Sequence, residues 1–178
     1  YENGADYYTD NYGENKFMVK KAPKASPIYI STKTKICYFN TEIDLLNTFW
    51  DIPIIEYHIA KNGILKKQVK INCATKDDTD RINKCLDKER DADQYIEEYI
   101  INKIDNPNGR VKYKDVLKIS IGVCKKDILS YRSKKKSAFY NCFVIILRIF
   151  YIDGFKEIHV KIFNTGKIEI PGVQNDEL

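Results

Sequence analysis

The residue types that most often carry chemistry are thinly spread in this chain. There are two histidines, His58 and His159, and neither has a Cys, Asp or Glu at a metal-ligand spacing. The five cysteines (37, 73, 85, 124 and 142) are odd in number and include no CxxC pair, so neither a zinc site nor a disulfide framework is expected. Cys37 and Cys142 lie inside apolar strand patterns and read as small core residues of a protein from a reducing compartment. No Gly-rich phosphate loop, nucleophile elbow or paired-carboxylate site is visible. The expectation is therefore a protein that is not an enzyme and needs no cofactor or metal. Basic and aromatic chemistry is what remains. The 178 residues include 30 Lys and Arg against 25 Asp and Glu, with 13 Tyr and 8 Phe. The charge is segregated: residues 1–15 carry Glu2, Asp6, Asp10 and Glu14 with no Lys or Arg, so the net +5 divides into −4 there and +9 over the rest. A body that basic points to a polyanionic partner, with plain solubilising lysine as the competing reading. The basic knot of Arg132, Lys134, Lys135 and Lys136 is open in the same way, as a solvated loop or a nucleic-acid patch.

The elements that must position such residues follow from periodicity. Residues 1–27 read as a disordered or extended tail closed by Pro27. Residues 28–39 alternate and are β-branched, which predicts a strand. Residues 42–50 place Ile43, Leu46 and Trp50 at helical spacing, and Pro53 ends that helix. Residues 64–72 predict a strand after the Asn62-Gly63 turn. The charged stretch 76–104 predicts one or two helices with a break near Asp91. Asn106 to Gly109 is a turn, and 110–123 alternate as one or two strands. Residues 139–151 form a strand apolar on both faces, so both faces are covered or one of them binds something. A turn at Asp153-Gly154, a strand through Ile162, a turn over Asn164 to Lys167 and a return strand ending at Pro171-Gly172 complete a hairpin. Gln174 to Leu178 read as the first turn of a helix. No run of eighteen apolar residues occurs; the longest, Cys142 to Ile152, is broken by Arg148, so no membrane-spanning helix is expected. The start at Tyr1, with no initiator Met and no charged-plus-apolar leader, predicts a piece of a longer polypeptide without a signal peptide.

The last forty residues follow a pattern of Val144 to Ile149 with Arg148, then Ile162-Phe163-Asn164-Thr165-Gly166-Lys167, then Pro171-Gly172. This resembles one repeat of the TATA-box-binding protein family. The wording of the hairpin is most similar to the divergent TATA-binding-like proteins of large nucleocytoplasmic DNA viruses, and the excess of Lys, Ile, Asn and Tyr suits an A/T-rich genome. The resemblance covers roughly 28–56 and 137–178, leaving about 57–136 as an insertion. It implies an α+β fold: a half-saddle of curved antiparallel sheet with helices packed on the convex face, plus a charged helical insertion. A second repeat beyond Leu178, or self-pairing, would complete the saddle.

The resemblance implies a transcription-initiation factor that binds A/T-rich double-stranded DNA in the minor groove, with RNA polymerase or general transcription factors as partners. Its expected setting is a viral factory in the host cytoplasm, the nucleus or the virion. In that family apolar side chains meet base edges, aromatic wedges enter base steps and basic residues hold phosphates. Strand alternation then puts Lys167 and Glu169, His159, Lys161 and Phe163, and Arg148 with Ile146 on the concave face. Thr32, Thr34 and Ile36 join them from the first strand, and Thr165 comes from the turn. Phe163 matches one kinking phenylalanine, with Phe139 and Tyr140 as displaced substitutes for the other. Two departures stand out: Glu169 puts a carboxylate on the DNA face, and Pro171 replaces a threonine. Phe163 is otherwise a hairpin-tip aromatic, and Arg148 is otherwise a cross-strand partner of Glu169. The rival from another class is a structural, virion or assembly protein that keeps this fold without binding DNA.

Overall fold

A computed structural model describes residues 24–130 and 139–173. The polar tail before Lys24, the basic knot and the expected C-terminal helix turn lie outside the described residues. Ten elements follow one another: β1 (Lys33–Tyr38), α1 (Leu45–Asp51), β2 (Gly63–Cys73), α2 (Lys76–Asp91), β3 (Ile96–Asp105), β4 (Tyr113–Gly122), α3 (Lys125–Leu129), β5 (Cys142–Tyr151), β6 (Gly154–Phe163) and β7 (Lys167–Val173). The seven strands form one curved, unclosed antiparallel sheet in the order β1-β7-β6-β5-β2-β4-β3.

Local chemistry explains where the helices start and stop. Asp44 caps α1 by accepting from the backbone N–H groups of Leu46 and Asn47, both at 3.1 Å. The chain turns extended at Ile52, as the residue before a proline must. Thr75 and Asp78 form a reciprocal capping box at the start of α2, each bond 3.1 Å long. Asp77 and Asp78 in its first turn and Lys88 and Arg90 in its last suit the helix dipole. The break expected near Asp91 is its end, where Asp93 takes a left-handed φ of 56°.

Beyond that break the helical expectation fails. Residues 96–105 are the edge strand β3, with Ile96 opposite Ile121 and Ile100 opposite Leu117 on β4. A short apolar run with Tyr95, Ile96, Tyr99 and Ile100 fits either period. Pairing with an apolar strand that would otherwise be an open edge decides the matter. The charged insertion, expected to be helical, accordingly holds more strand than helix. Residues 57–136 supply three strands to the common sheet, and β2 lies centrally between β5 and β4.

The core lies on one face of the sheet. Phe49 from α1 and Ile82 and Leu86 from α2 pack with Val69, Ile71, Leu117, Ile119, Ile121, Phe143, Ile145 and Val160. Phe49 and Phe143 are fully buried and meet edge-to-face at 6.0 Å; burying each stabilises by about 1.5–3 kcal/mol. Lys67 points to this same face. Its ammonium is 2.7 Å from Glu89 of α2 and 2.9 Å from the Ile52 carbonyl, above the Phe49 ring.

The edge strand β1 is shorter than the predicted 28–39: Ile28, Tyr29 and Ile30 are exposed and precede it. Cys37 is exposed there rather than a core residue, whereas Cys142 is buried; all five thiols are free. β7 runs on through Pro171 and Gly172. Pro171 is tolerated because pairing with β6 stops at Glu169, and only β1 pairs that far.

Candidate nucleic-acid interface

Strand alternation and register define what the face opposite the helices carries. On β5 it presents Val144, Ile146 and Arg148. Across from these stand Gln68 and Lys66 on β2, and Lys161, His159 and Glu157 on β6. β7 adds Lys167 and Glu169, opposite Tyr38 and Ile36 of β1. Beyond β2 the face continues with Lys70 opposite Lys118. Helices α1 and α2 leave this face uncovered.

Its two ends differ. At the C-terminal end of β5 the face is closed. Arg148 is 6% exposed, and its guanidinium donates to the carbonyls of Tyr57, Ile59 and Lys61, with the Tyr57 and Phe155 rings beside it. Neighbouring Lys66 is equally hidden and is held by Asp127 of α3 at 2.9 Å. The backbone N–H of Lys125 donates to Glu157 at 3.0 Å, so α3 is fastened over this end. Burial pushes the Asp127 carboxyl up, but hydrogen bonds from Lys66 and Cys124 outweigh it and leave the group below its ordinary range. Ile146, between Lys66 and His159 in register, is 2% exposed. The expected cross-strand pairing of Arg148 with Glu169 is therefore not formed. The Arg148 donors go to backbone carbonyls, and Glu169 pairs elsewhere.

At the N-terminal end of β5 the face is open among the described residues and has a recurrent composition. The Lys70 ammonium sits 3.9 Å from the centre of the exposed Tyr140 ring. Lys161 lies 5.9 Å from the exposed Phe139 ring, and Lys167 lies 5.4 Å from Phe163. Each is within cation–π range. Glu169 ties two of these lysines together, at 2.6 Å from Lys167 and 3.4 Å from Lys161. Hydrogen bonding from Lys167 holds the Glu169 carboxyl below its usual range, and the same bond raises the Lys167 ammonium.

The turn between β6 and β7 is clamped in place. Phe39 donates to the Gly166 carbonyl at 2.8 Å and Ile43 to that of Asn164 at 2.9 Å. Gly166 has a φ of 79°, and a Cβ there would lie 2.4 Å from the Thr41 carbonyl oxygen. A glycine is therefore required. The turn's exposed Thr165 is held beside Phe163 and Lys167.

Of the residues singled out from sequence, the fold gathers Phe139, Tyr140, Lys161, Phe163, Thr165 and Lys167 around the open end. It separates Ile146 and Arg148 beneath the closed end. Thr34 is exposed on β1 opposite Pro171, while Thr32 precedes the strand. Lys70 is the residue that sequence reading missed. The signal was there: Gln68, Lys70 and Asn72 alternate with Val69 and Ile71, so one face of β2 is polar. Among the described residues no cluster of three or more His, Cys, Asp or Glu side chains is placed to hold a metal. No described helix is long and apolar enough to cross a membrane. Comparison with protein-family models, curated proteins and solved structures finds no match to this chain.

Proposed function

We propose that the open end of the sheet is a double-stranded DNA interface, and that the protein is a TATA-binding-like initiation factor acting on A/T-rich minor grooves. The single observation that carries this is the set of three lysine–aromatic pairs on one uncovered sheet face: Lys70–Tyr140, Lys161–Phe139 and Lys167–Phe163. Ammonium groups placed beside ring faces match a ligand that offers phosphates next to base edges and base steps. The element order of strand, helix and terminal three-strand meander, and the clamped Asn164–Lys167 turn, support the same reading. Phe163 and the exposed Phe139 and Tyr140 are the proposed wedges. Lys70, Lys161 and Lys167 are the proposed phosphate contacts. Ile146 and Arg148 take no part; Arg148 instead anchors the 57–61 loop. RNA polymerase or general factors would dock elsewhere, and a second repeat or a second copy would extend the half-saddle. The proposed role is binding without a reaction or cofactor, at a viral site of transcription.

The test is a salt-dependent affinity measurement on A/T-rich duplex. Binding is expected at low salt and should weaken about tenfold or more in Phe163→Ala with Lys167→Ala, with the salt slope falling by about 1. Undetectable binding at low salt, or binding indifferent to that double substitution, sinks the proposal. One observation favours the rival, a structural or assembly protein without DNA binding: Glu169 engages two of the three lysines. Under that reading Glu169→Gln leaves DNA affinity at zero rather than raising it.

A further inference from the structure

The open end of the sheet is basic and aromatic, and the chain carries its complement. Residues 1–15 hold four carboxylates, three further tyrosines after Tyr1 (Tyr7, Tyr8 and Tyr12) and no basic side chain. We infer that this segment is the resident occupant of the Lys70, Lys161 and Lys167 face, where it acts as an intramolecular competitor of a polyanion. The inference rests on the reading of that face as a DNA interface for its consequence, but not for the contact itself.

Three observations support the docking. The first is charge complementarity: a segment of net −4 in a chain whose remainder is +9. The second is chain geometry. The first strand of the chain, β1, is the edge strand beside β7, and its first residue, Lys33, stands opposite Val173 while its last, Tyr38, stands opposite Lys167, so the tail must run back along this edge to reach the open end. Residues 16–32 form the tether. At about 3.3–3.6 Å per residue it spans up to about 55–60 Å. The farthest of these lysines, Lys70 on β2, is four strands from β1, roughly 19 Å across at about 4.8 Å per strand and about 20 Å along the strands from the level of Lys33, or roughly 28 Å in all. The third is the ring chemistry. Tyr140, Phe139 and Phe163 offer apolar surface between the ammonium groups, which suits a ligand that alternates carboxylates with tyrosines.

A tether of this length gives an effective concentration in the millimolar range, so even a weak contact would be occupied. It would be displaced by DNA, whose phosphates present a denser row of charge. Deleting residues 1–15 is therefore expected to raise affinity for A/T-rich duplex about five- to tenfold at low salt, with the gain shrinking towards physiological salt.

The deciding experiment needs no DNA. Lysine acylation is followed by mass spectrometry in the full chain, in a chain lacking residues 1–15, and in Glu2→Gln/Asp6→Asn/Asp10→Asn/Glu14→Gln. Lys70, Lys161 and Lys167 should react more slowly in the full chain than in either variant. Lys76 and Lys103, outside this open end, should be unchanged. The protection should not depend on protein concentration. Equal reactivity in all three forms overturns the inference, as does a uniform change at every lysine, which would mark a general field effect. Protection that grows with concentration makes the tail of a second copy the occupant and overturns the intramolecular form. Protection together with no DNA binding by the shortened chain would leave the docking intact and remove the DNA reading. Tail-independent reactivity with normal DNA binding would do the reverse.

Discussion

The two faces of this sheet use lysine in opposite ways. Lys66 and Lys67 are adjacent in sequence, point to opposite faces and are both almost fully buried. Each is neutralised by a carboxylate from an element packed over it: Glu89 from α2 above Lys67, and Asp127 from α3 above Lys66. Lys161 and Lys167 also meet a carboxylate, but it comes from the sheet itself. Glu169 neighbours both of them, and the cluster keeps a net positive charge. A buried lysine thus fixes a lid to the sheet, and a surface lysine beside a ring leaves a face able to attract an anion. Lysine content cannot separate these roles. What separates them is whether another element supplies the counter-charge.

The largest effect should come from the core of the covered face. Phe143→Ala should cost about 3–5 kcal/mol in chemical denaturation, because a fully buried ring against Phe49 leaves a cavity. A loss below about 1 kcal/mol would mean that this face is not the core. Next comes the buried pair. Glu89→Ala strands the Lys67 ammonium with only carbonyls, and a loss of about 3 kcal/mol is expected. The double change Lys67→Met with Glu89→Leu should recover most of it, since a buried pair is often replaceable by apolar groups. No recovery would give the pair a role beyond charge neutralisation.

On the open face the effects should shift from stability to binding. Phe163→Ala with Lys167→Ala should change stability by less than about 1 kcal/mol, while DNA affinity falls as stated above. If stability collapses instead, the open face is a core and the two faces do not differ. The smallest effect concerns Glu169. Its carboxyl is held below the usual range by Lys167, so the folded-state value lies under the unfolded one. Its contribution to stability is then complete above the ordinary glutamate range, and it fades as pH falls through the lower folded value. The Lys167 ammonium is raised, so its share is complete below the ordinary lysine range and fades as pH rises through the higher folded value. An NMR titration of the Glu169 side chain should show the depressed midpoint, and Lys167→Ala should restore most of it. An unshifted midpoint would remove the bridge. Glu169→Gln should modestly raise affinity for duplex DNA.

Much of the fold was readable along the chain. The alternation of Ile158, Val160 and Ile162 and the Asn164-Thr165-Gly166-Lys167 turn are local signals with local causes. So is the end of α2 near Asp91. The open end of the candidate site was legible for the same reason: Lys161, Phe163, Lys167, Phe139 and Tyr140 are close in sequence, on a hairpin and the strand start beside it. The misreadings that bear on the site involve distant partners. β3 looked helical because its apolar spacing suited both periods, and β4 chose between them. Arg148 and Ile146 were placed correctly on the face opposite Phe143 and Ile145. They are nevertheless buried there, because residues 57–62 and α3 return over that end of the strand. Lys70 was overlooked because its aromatic neighbour, Tyr140, is seventy residues away.

Periodicity along the backbone dictates which side of a strand each residue occupies, since alternation and turn chemistry act over a few bonds. It cannot dictate whether that side ends up in water. For this chain the spacing of residues 139–173 settled the hairpin, its two faces and the aromatic and basic side chains on one of them. The assembled sheet settled which end of that face stays open. Coverage depends on contacts between segments far apart in sequence, and no local pattern encodes them.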